Sequence, residues 1–130
     1  MDKQIIKTII IEKQVAIPKY ELTHRKITFG DKANYVLVGL RRAGKSYLLY
    51  QDIQTRINEG NATVENILYI NFEDERLSYM KAEELGVILD SYMELYPNHQ
   101  PLIYLDEIQN IDGWEKFARR LADSKYRVMI

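Results

Sequence analysis

The stretch that decides the fold reads Gly39-Leu40-Arg41-Arg42-Ala43-Gly44-Lys45-Ser46, which satisfies the pattern G-x-x-x-x-G-K-[ST]. Glycines at both ends of this spacing let the backbone turn tightly and approach a ligand without a Cβ clash. Successive backbone N–H groups in such a loop point at one place, and a helix that follows adds its positive amino end. The stretch therefore predicts a loop that binds the phosphates of a nucleotide.

The residues on either side of the loop have the pattern that this interpretation requires. Tyr35–Val38 is a short apolar run typical of a buried strand. Leu49, Ile53 and Ile57 repeat every four residues, which predicts a helix over residues 45–59 with one buried face. An ordinary glycine turn that caps a helix is the alternative, and the complete pattern between a strand and a helix argues against it.

The side chains of the loop have separate expected roles. Lys45 is expected to reach the β- and γ-phosphates, and the hydroxyl of Ser46 is expected to bind magnesium. The candidate nucleotide-binding residues are Gly39, Leu40, Arg41, Arg42, Ala43, Gly44, Lys45, Ser46 and Tyr47.

A pair of carboxylates follows another apolar run, Leu102–Leu105, about sixty residues after the loop. In open α/β sheets, ligands bind at the carboxyl ends of the strands, which is where Asp106 and Glu107 would lie. Asp106 is predicted to hold the magnesium shell. Glu107 is predicted to polarise the attacking water, as a catalytic residue together with Lys45. The alternative is that the two acidic residues only end the strand with polar side chains and have no functional role.

The rest of the chain repeats the alternation of strand and helix. Ile67–Phe72 and Tyr126–Ile130 read as strands, residues 81–96 as a helix, and Asp112 with Glu115 as a capping box for a last helix that runs to about Ser124. Continuous apolar strands separated by helices predict an α/β fold, a three-layer sandwich with a parallel sheet. Residues 3–14 fit an amphipathic helix, although the β-branched run Thr8–Ile11 within them could equally be a strand. We expect an amino-terminal extension over residues 1–30 and the phosphate-loop core over residues 31–130.

Composition restricts the classes of protein to consider. The chain has 130 residues, no cysteine and a formal net charge of −1, so disulfides are excluded and a dedicated nucleic-acid-coating surface is not indicated. The apolar cluster Ile5–Ile11 is too short to cross a bilayer. We expect a cytoplasmic protein without a membrane contact. The net charge leaves open whether a local basic patch binds nucleic acid.

Some polar residues near the acid pair allow two interpretations. Gln109 and Asn110 could sense the γ-phosphate or could only supply turn polarity. Arg119 and Arg120 could act as arginine fingers in an oligomer or could be surface charges of a helix.

The sequence resembles a known family in several segments. These are the loop with Tyr47-Leu48-Leu49 after it, then Tyr69-Ile70-Asn71-Phe72-Glu73-Asp74, then Tyr104-Leu105-Asp106-Glu107-Ile108-Gln109 with Trp114. Together they look like the prokaryotic AAA-type ATPases that are often paired with a DUF4143 carboxy-terminal domain. The resemblance covers about residues 30–130.

The resemblance implies a P-loop NTPase core of the ASCE division with strand order 5-1-4-3-2. It implies ATP rather than GTP, with Mg²⁺, and it gives functional roles to Lys45, Ser46, Asp106 and Glu107. Members of the family are longer and end their fourth strand in a polar sensor segment. We therefore expect this chain to be a fragment that stops before the sensor, the fifth strand and the carboxy-terminal domain.

The residues and the resemblance together favour an ATP-hydrolysing core whose nucleotide state switches an attached domain, a protein partner or a second copy of the chain. Two alternatives stay open. One is a nonhydrolysing nucleotide-binding module, and the other is a kinase for a nucleotide or a small molecule, which would need an acceptor site.

Overall fold

The computed structural model describes residues 1–23, 29–30, 33–37 and 42–130, with the side chains of Arg42 and Ala43 excepted. The predicted loop residues Gly39–Arg41, and Val38 before them, lie outside this description. The helices are α1 (Lys3–Ala16), α2 (Arg42–Asn58), α3 (Gly86–Leu95) and α4 (Trp114–Asp123), and the strands are β1 (Ile67–Asn71), β2 (Leu102–Asp106) and β3 (Arg127–Met129).

The strands form a parallel sheet in the order β1-β2-β3. Residues 35–37 lie along the other side of β3: Tyr35 forms a parallel bridge with Met129, and the Leu37 N–H donates to the carbonyl of Ile130 at 2.7 Å. Across the sheet, the order is therefore the segment before the loop, then β3, β2 and β1. This arrangement matches four consecutive positions, 1-4-3-2, of the order that the resemblance implies.

Helices cover both faces of the sheet, which confirms the predicted three-layer α/β fold. On one face, a large apolar core joins α1, α3 and α4 to side chains of all three strands, such as Ile70, Leu105 and Val128. On the other face, Leu49 and Ile53 of α2 pack against the second set of strand side chains, which are Ile67, Tyr69, Tyr104 and Met129. The buried face predicted for the loop helix is thus the face that meets the sheet.

The amino-terminal residues form a helix rather than a strand. In α1 the buried side chains are Ile6, Ile9 and Ile10, at helical spacing, and they join the large core. Gln14, near the end of the helix, donates its amide to the carbonyl of Ile67 at 2.9 Å. The helical alternative is therefore confirmed, and α1 packs beside β1; a boundary near residue 30 stays a prediction.

One local prediction is wrong, and one predicted helix begins later than expected. No side chain caps α4, so Asp112 and Glu115 do not form a capping box; the cap is Gly113, which has a φ of 84° that glycine adopts without strain. The helix predicted over residues 81–96 begins as a single 3-10 turn, Ala82–Glu84, and becomes α-helical only at Gly86. There the Lys81 N–H donates to the Glu84 side chain, which also pairs with the amino terminus at 2.8 Å.

An ion-pair network is buried between α2 and β3. Asp52 accepts from Arg127 Nη1 at 3.0 Å, from the hydroxyl of Tyr104 at 2.6 Å and from Arg56 Nε at 3.3 Å. Arg56 and Arg127 also donate to the carbonyl of Gly30, at 3.2 and 3.0 Å. The network thus connects the middle of α2 to the sheet. It also connects both to Gly30, which precedes the segment at residues 33–37.

An exposed ion-pair cluster joins α1 to α3. Lys3 and Lys7 donate to the two carboxylate oxygens of Glu94 at 2.5 and 2.8 Å, and these bonds lower the pKa of Glu94 from 4.5 to about 2. A carboxylate whose pKa is depressed by folding adds stability above its unfolded pKa, and that stability is lost as the pH falls towards the folded value. We expect Glu94→Gln to unfold at a lower temperature than the parent at pH 7, and the difference to shrink between pH 4.5 and about 2.

Thermal unfolding across this pH range checks the expectation. Glu115→Gln is the matched control, because Glu115 is an exposed helix carboxylate that has no ion pair among the described residues. A Glu94→Gln difference that stays constant from pH 7 to pH 2.5, or that Glu115→Gln reproduces, would contradict it.

Candidate functional site

The candidate site lies where the strands end and α2 begins. Asp106 is the last residue of β2, and its register partner at the end of β1 is Asn71. The first turns of α2 bring Ser46 to the same edge, where its Oγ donates to Asp106 Oδ2 at 2.5 Å. The structure thus joins the predicted magnesium ligands, sixty residues apart in sequence, in one direct contact.

Asp106 is completely buried, and its two carboxylate oxygens have different surroundings. Oδ2 accepts from Ser46 and also from the hydroxyl of Tyr69, each at 2.5 Å. Oδ1 is buried and has no hydrogen-bond partner within the described part of the chain. A buried carboxylate oxygen without a donor is costly, so this atom indicates a ligand that completes the site.

Glu107 follows Asp106 with an unusual backbone. Its φ of 60° and ψ of 30° lie in the left-handed region, which is sparsely populated for a side chain other than glycine. Such conformations are found at functional sites more often than elsewhere. Its side chain is nearly buried; Oε1 lies 3.7 Å from Lys45 Nζ, and Oε2 accepts from the Gln109 amide at 2.7 Å.

Tyr69 supplies the second hydrogen bond to Asp106 from the neighbouring strand. Burial and the nearby Asp106 carboxylate raise the pKa of Tyr69 above its usual range, so its hydroxyl keeps its proton and acts as a donor. The hydroxyl of Tyr50, on α2, lies 3.3 Å from that of Tyr69. The carboxylate is thus held from both α2 and β1.

The donor set fits a magnesium ion next to bound phosphates. Mg²⁺ prefers oxygen ligands and is usually held by one or two carboxylates, waters and substrate phosphates rather than by a cage of protein ligands. Ser46 Oγ and Asp106 Oδ1, which has no hydrogen-bond partner among the described residues, offer such oxygens at the amino end of a helix, which favours anions. Within residues 1–23, 29–30, 33–37 and 42–130, no cluster of three or more metal-ligating His, Asp or Glu side chains is present.

The structure places the sequence-predicted site residues as follows. Lys45, Ser46, Asp106 and Glu107 come together at one edge of the sheet. Gly44 lies in the first turn of α2, whose backbone also includes Arg42 and Ala43. Tyr47 is half exposed and packs edge-on against Tyr50. The roles of all these residues in nucleotide binding remain predictions, including those of Gly39, Leu40 and Arg41 outside the described residues.

Sequence reasoning gave no role to Tyr69 and left that of Gln109 open. The signal for Tyr69 is the two-residue period of a strand: Tyr69 pairs with Tyr104 in the parallel register, and Asp106 is two residues beyond Tyr104 on the same face. Gln109 contacts the predicted base directly. Arg120, a candidate arginine finger, lies over the ring of Phe117 with its Cζ 5.5 Å from the centroid.

None of the helices that the structure describes combines the length and the apolar composition needed to cross a bilayer.

Comparison with known proteins agrees with this geometry. The family described as "AAA domain" matches residues 31–130. An uncharacterized protein of Methanocaldococcus jannaschii is 33% identical over 133 aligned residues, which cover 100% of this chain and 28% of that protein. An uncharacterized protein of Haemophilus influenzae is 39% identical over 89 residues, which cover 66% of this chain and 21% of that protein. The chain thus spans about a quarter of the length of these relatives.

No solved structure matches the chain significantly. The family match covers most of the chain and includes the loop, the acid pair and all three strands. Domains of this family are nucleotide-binding and ATPase-like. The chain belongs to the AAA domain family.

Proposed function

We propose that this chain binds ATP with Mg²⁺ and hydrolyses it, and that the nucleotide state controls the rest of the protein. The observation that carries the proposal is the contact between Ser46 and Asp106 beside a buried carboxylate oxygen that has no partner among the described residues. A phosphate loop without a carboxylate could bind nucleotide, but this carboxylate gives a metal ion a fixed position next to the phosphates.

Lys45 and the amino end of α2 supply the positive charge for the phosphates. The Lys45 ammonium is mostly buried and lies 3.7 Å from the Glu107 carboxylate. Phosphate oxygens that enter the site compete for this ammonium and carry more negative charge than one carboxylate. ATP binding should therefore draw Lys45 away from Glu107 and onto the phosphates.

Ser46 and Asp106 would hold the magnesium ion. The Ser46 hydroxyl can offer a lone pair to the metal while it still donates its proton to Asp106 Oδ2, so the contact seen here is compatible with the loaded site. Asp106 Oδ1 would bind the metal or one of its waters. When bound, magnesium neutralises the charge that develops on the transferred phosphoryl group.

Glu107 would accept the proton of the attacking water. The water oxygen forms a bond to the γ-phosphorus, the bond to the bridging oxygen of ADP breaks, and the water proton passes to the carboxylate. Gln109 donates to one oxygen of Glu107 at 2.7 Å, and the other oxygen lies 3.7 Å from the Lys45 ammonium, so the carboxylate is held next to the lysine that would bind the phosphates. An adjacent base for water favours hydrolysis over transfer to a metabolite.

In the whole protein, ATP hydrolysis would switch an attached domain or a protein partner, in the cytoplasm. The matching relatives are considerably longer than this chain, which supports a role for the site within a larger protein. A carboxy-terminal DUF4143 domain or a second copy of the chain could be the responding unit.

Nucleotide binding gives the most direct test. In the intact protein, Lys45→Ala is expected to weaken the binding of Mg²⁺ with a nonhydrolysable ATP analogue by roughly 10- to 100-fold, because a charged donor to the phosphates is lost. Isothermal titration calorimetry measures the change. Lys116→Ala, at an exposed lysine of α4, is the control and should bind like the parent. Parent-like binding by Lys45→Ala, or no binding by the parent, would refute the proposal.

A further inference from the structure

A tyrosine from the neighbouring strand shares one carboxylate oxygen with the loop serine. Tyr69 is fully buried in the middle of β1, and its hydroxyl donates to Asp106 Oδ2 at 2.5 Å. Ser46 donates to the same oxygen at the same distance, although it lies on α2. Two separate elements of the fold thus converge on one oxygen atom, while the other oxygen of the same carboxylate is buried without a partner among the described residues.

This asymmetry determines how the carboxylate is oriented. The terminal torsion of an aspartate is broad and nearly two-fold, so one hydrogen bond leaves the carboxylate some freedom to turn. Two strong donors on Oδ2, from different directions, restrict that rotation and keep Oδ1 turned away from them. Ser46 alone would leave the carboxylate with a single hydrogen bond, about which it could still turn.

We propose that Tyr69 is a positioning residue for the magnesium site: its hydroxyl fixes Oδ2 of Asp106 beside Ser46, so that Oδ1 faces the magnesium ion or a water of its shell. The inference rests on the proposed function, since it concerns the carboxylate which that function places at the metal. Tyr69 itself does not touch the metal or the nucleotide. It acts through Asp106, as outer partners of metal ligands do when they orient the ligand.

A second tyrosine on the same face of the sheet provides a matched comparison. Tyr104 is also fully buried, and its hydroxyl also donates to a buried carboxylate, that of Asp52, at 2.6 Å. Asp52 belongs to the ion-pair network at the middle of α2. Tyr69→Phe and Tyr104→Phe therefore remove the same chemical group from similar surroundings, but only the first removes it from the proposed metal ligand.

The test is the magnesium dependence of nucleotide binding by the intact protein. A fluorescent, nonhydrolysable ATP analogue is titrated with MgCl2, and the affinity is also measured in EDTA. Tyr69→Phe is expected to raise the Mg²⁺ concentration for half-maximal binding about tenfold, at the lower end of the cost of losing an outer partner of a metal ligand. Its affinity in EDTA should equal that of the parent, and Tyr104→Phe should match the parent in both conditions.

The outcomes separate the two proposals. A parent that binds the analogue equally well with and without Mg²⁺ refutes the magnesium site, and the role of Tyr69 with it. A magnesium-dependent parent whose Tyr69→Phe variant has the same midpoint refutes the role of Tyr69 alone. An equal rise of the midpoint in Tyr104→Phe also refutes it, because the effect would then come from loosening of the core.

A measurement on the parent protein covers the case in which Tyr69→Phe does not fold. With the tyrosine Cζ atoms labelled with ¹³C, addition of Mg²⁺ to the nucleotide-bound protein should shift the Tyr69 resonance, because the acceptor of its hydrogen bond changes its charge distribution. The Tyr104 resonance should not move. An unchanged Tyr69 resonance on saturation with Mg²⁺ overturns the proposal.

Discussion

Replacing Glu107 by Gln is expected to lower kcat for ATP hydrolysis by on the order of 10²–10⁴-fold, the usual contribution of a positioned general base. The amide has the shape of the carboxylate but cannot accept the proton of the attacking water. Its oxygen can still accept from Gln109, so the backbone and the neighbouring turn should keep their positions. The affinity for Mg²⁺ and ATP should stay the same or increase, because a negative charge 3.7 Å from Lys45 is removed.

Steady-state phosphate release by the intact protein, combined with equilibrium binding of ATP, separates the two effects. Glu115→Gln is the control, since it removes an exposed carboxylate on α4 and should turn over like the parent. A Glu107→Gln variant that hydrolyses ATP at the parental rate would show that the assigned base is wrong. Tight binding without turnover in the parent would instead support the nonhydrolysing module, and phosphate transfer to a nucleoside or metabolite would support a kinase.

The strongest sequence patterns predicted the layers of the fold and the edge of the sheet at which Ser46 and Asp106 lie. The apolar runs around Ile70 and Leu105 and the four-residue repeat of α2 each correspond to a buried face in the structure. The contact between Ser46 and Asp106 was predictable because parallel strands all end at the edge where the loop helix begins. Both kinds of pattern are regular, which is why single residues could be placed from them.

Where the predictions failed, a local interaction replaced the regular pattern. Asp112 and Glu115 have the spacing of a capping box, but Gly113 takes a left-handed conformation and starts α4 without a side-chain cap. The left-handed backbone of Glu107 and the approach of Tyr69 to Asp106 depend on tertiary packing. The two-residue period of the strands places Tyr69 and Asp106 on one face of the sheet, but it does not show that the hydroxyl reaches the carboxylate.

Replacing Asp52 by Ala is expected to lower the free energy of unfolding by about 3–5 kcal/mol, the cost of removing one partner from a buried ion pair. Asp52 and Arg127 are each only 6% exposed, and Asp52 receives bonds from Arg127, Arg56 and Tyr104. Without it, the Arg127 guanidinium keeps its bond to the Gly30 carbonyl but loses its counter-charge in a site that water hardly reaches. Urea unfolding measures the change as a lower midpoint at an unchanged slope.

A second variant distinguishes the cost of leaving Arg127 without its counter-charge from a general effect of replacing Asp52. Asp52→Leu combined with Arg127→Met replaces two charged partners by apolar side chains, and such replacements are often neutral because the desolvation of both charges disappears as well. The pair should therefore recover the part of the lost stability that comes from the Arg127 charge, while Arg56 and Tyr104 still lack Asp52. Asp90→Ala, at an exposed position of α3, should change stability by no more than about 0.5 kcal/mol. If Asp52→Ala costs no more than Asp90→Ala, the network does not hold α2 against β3, and the sheet must position the loop helix through apolar contacts alone.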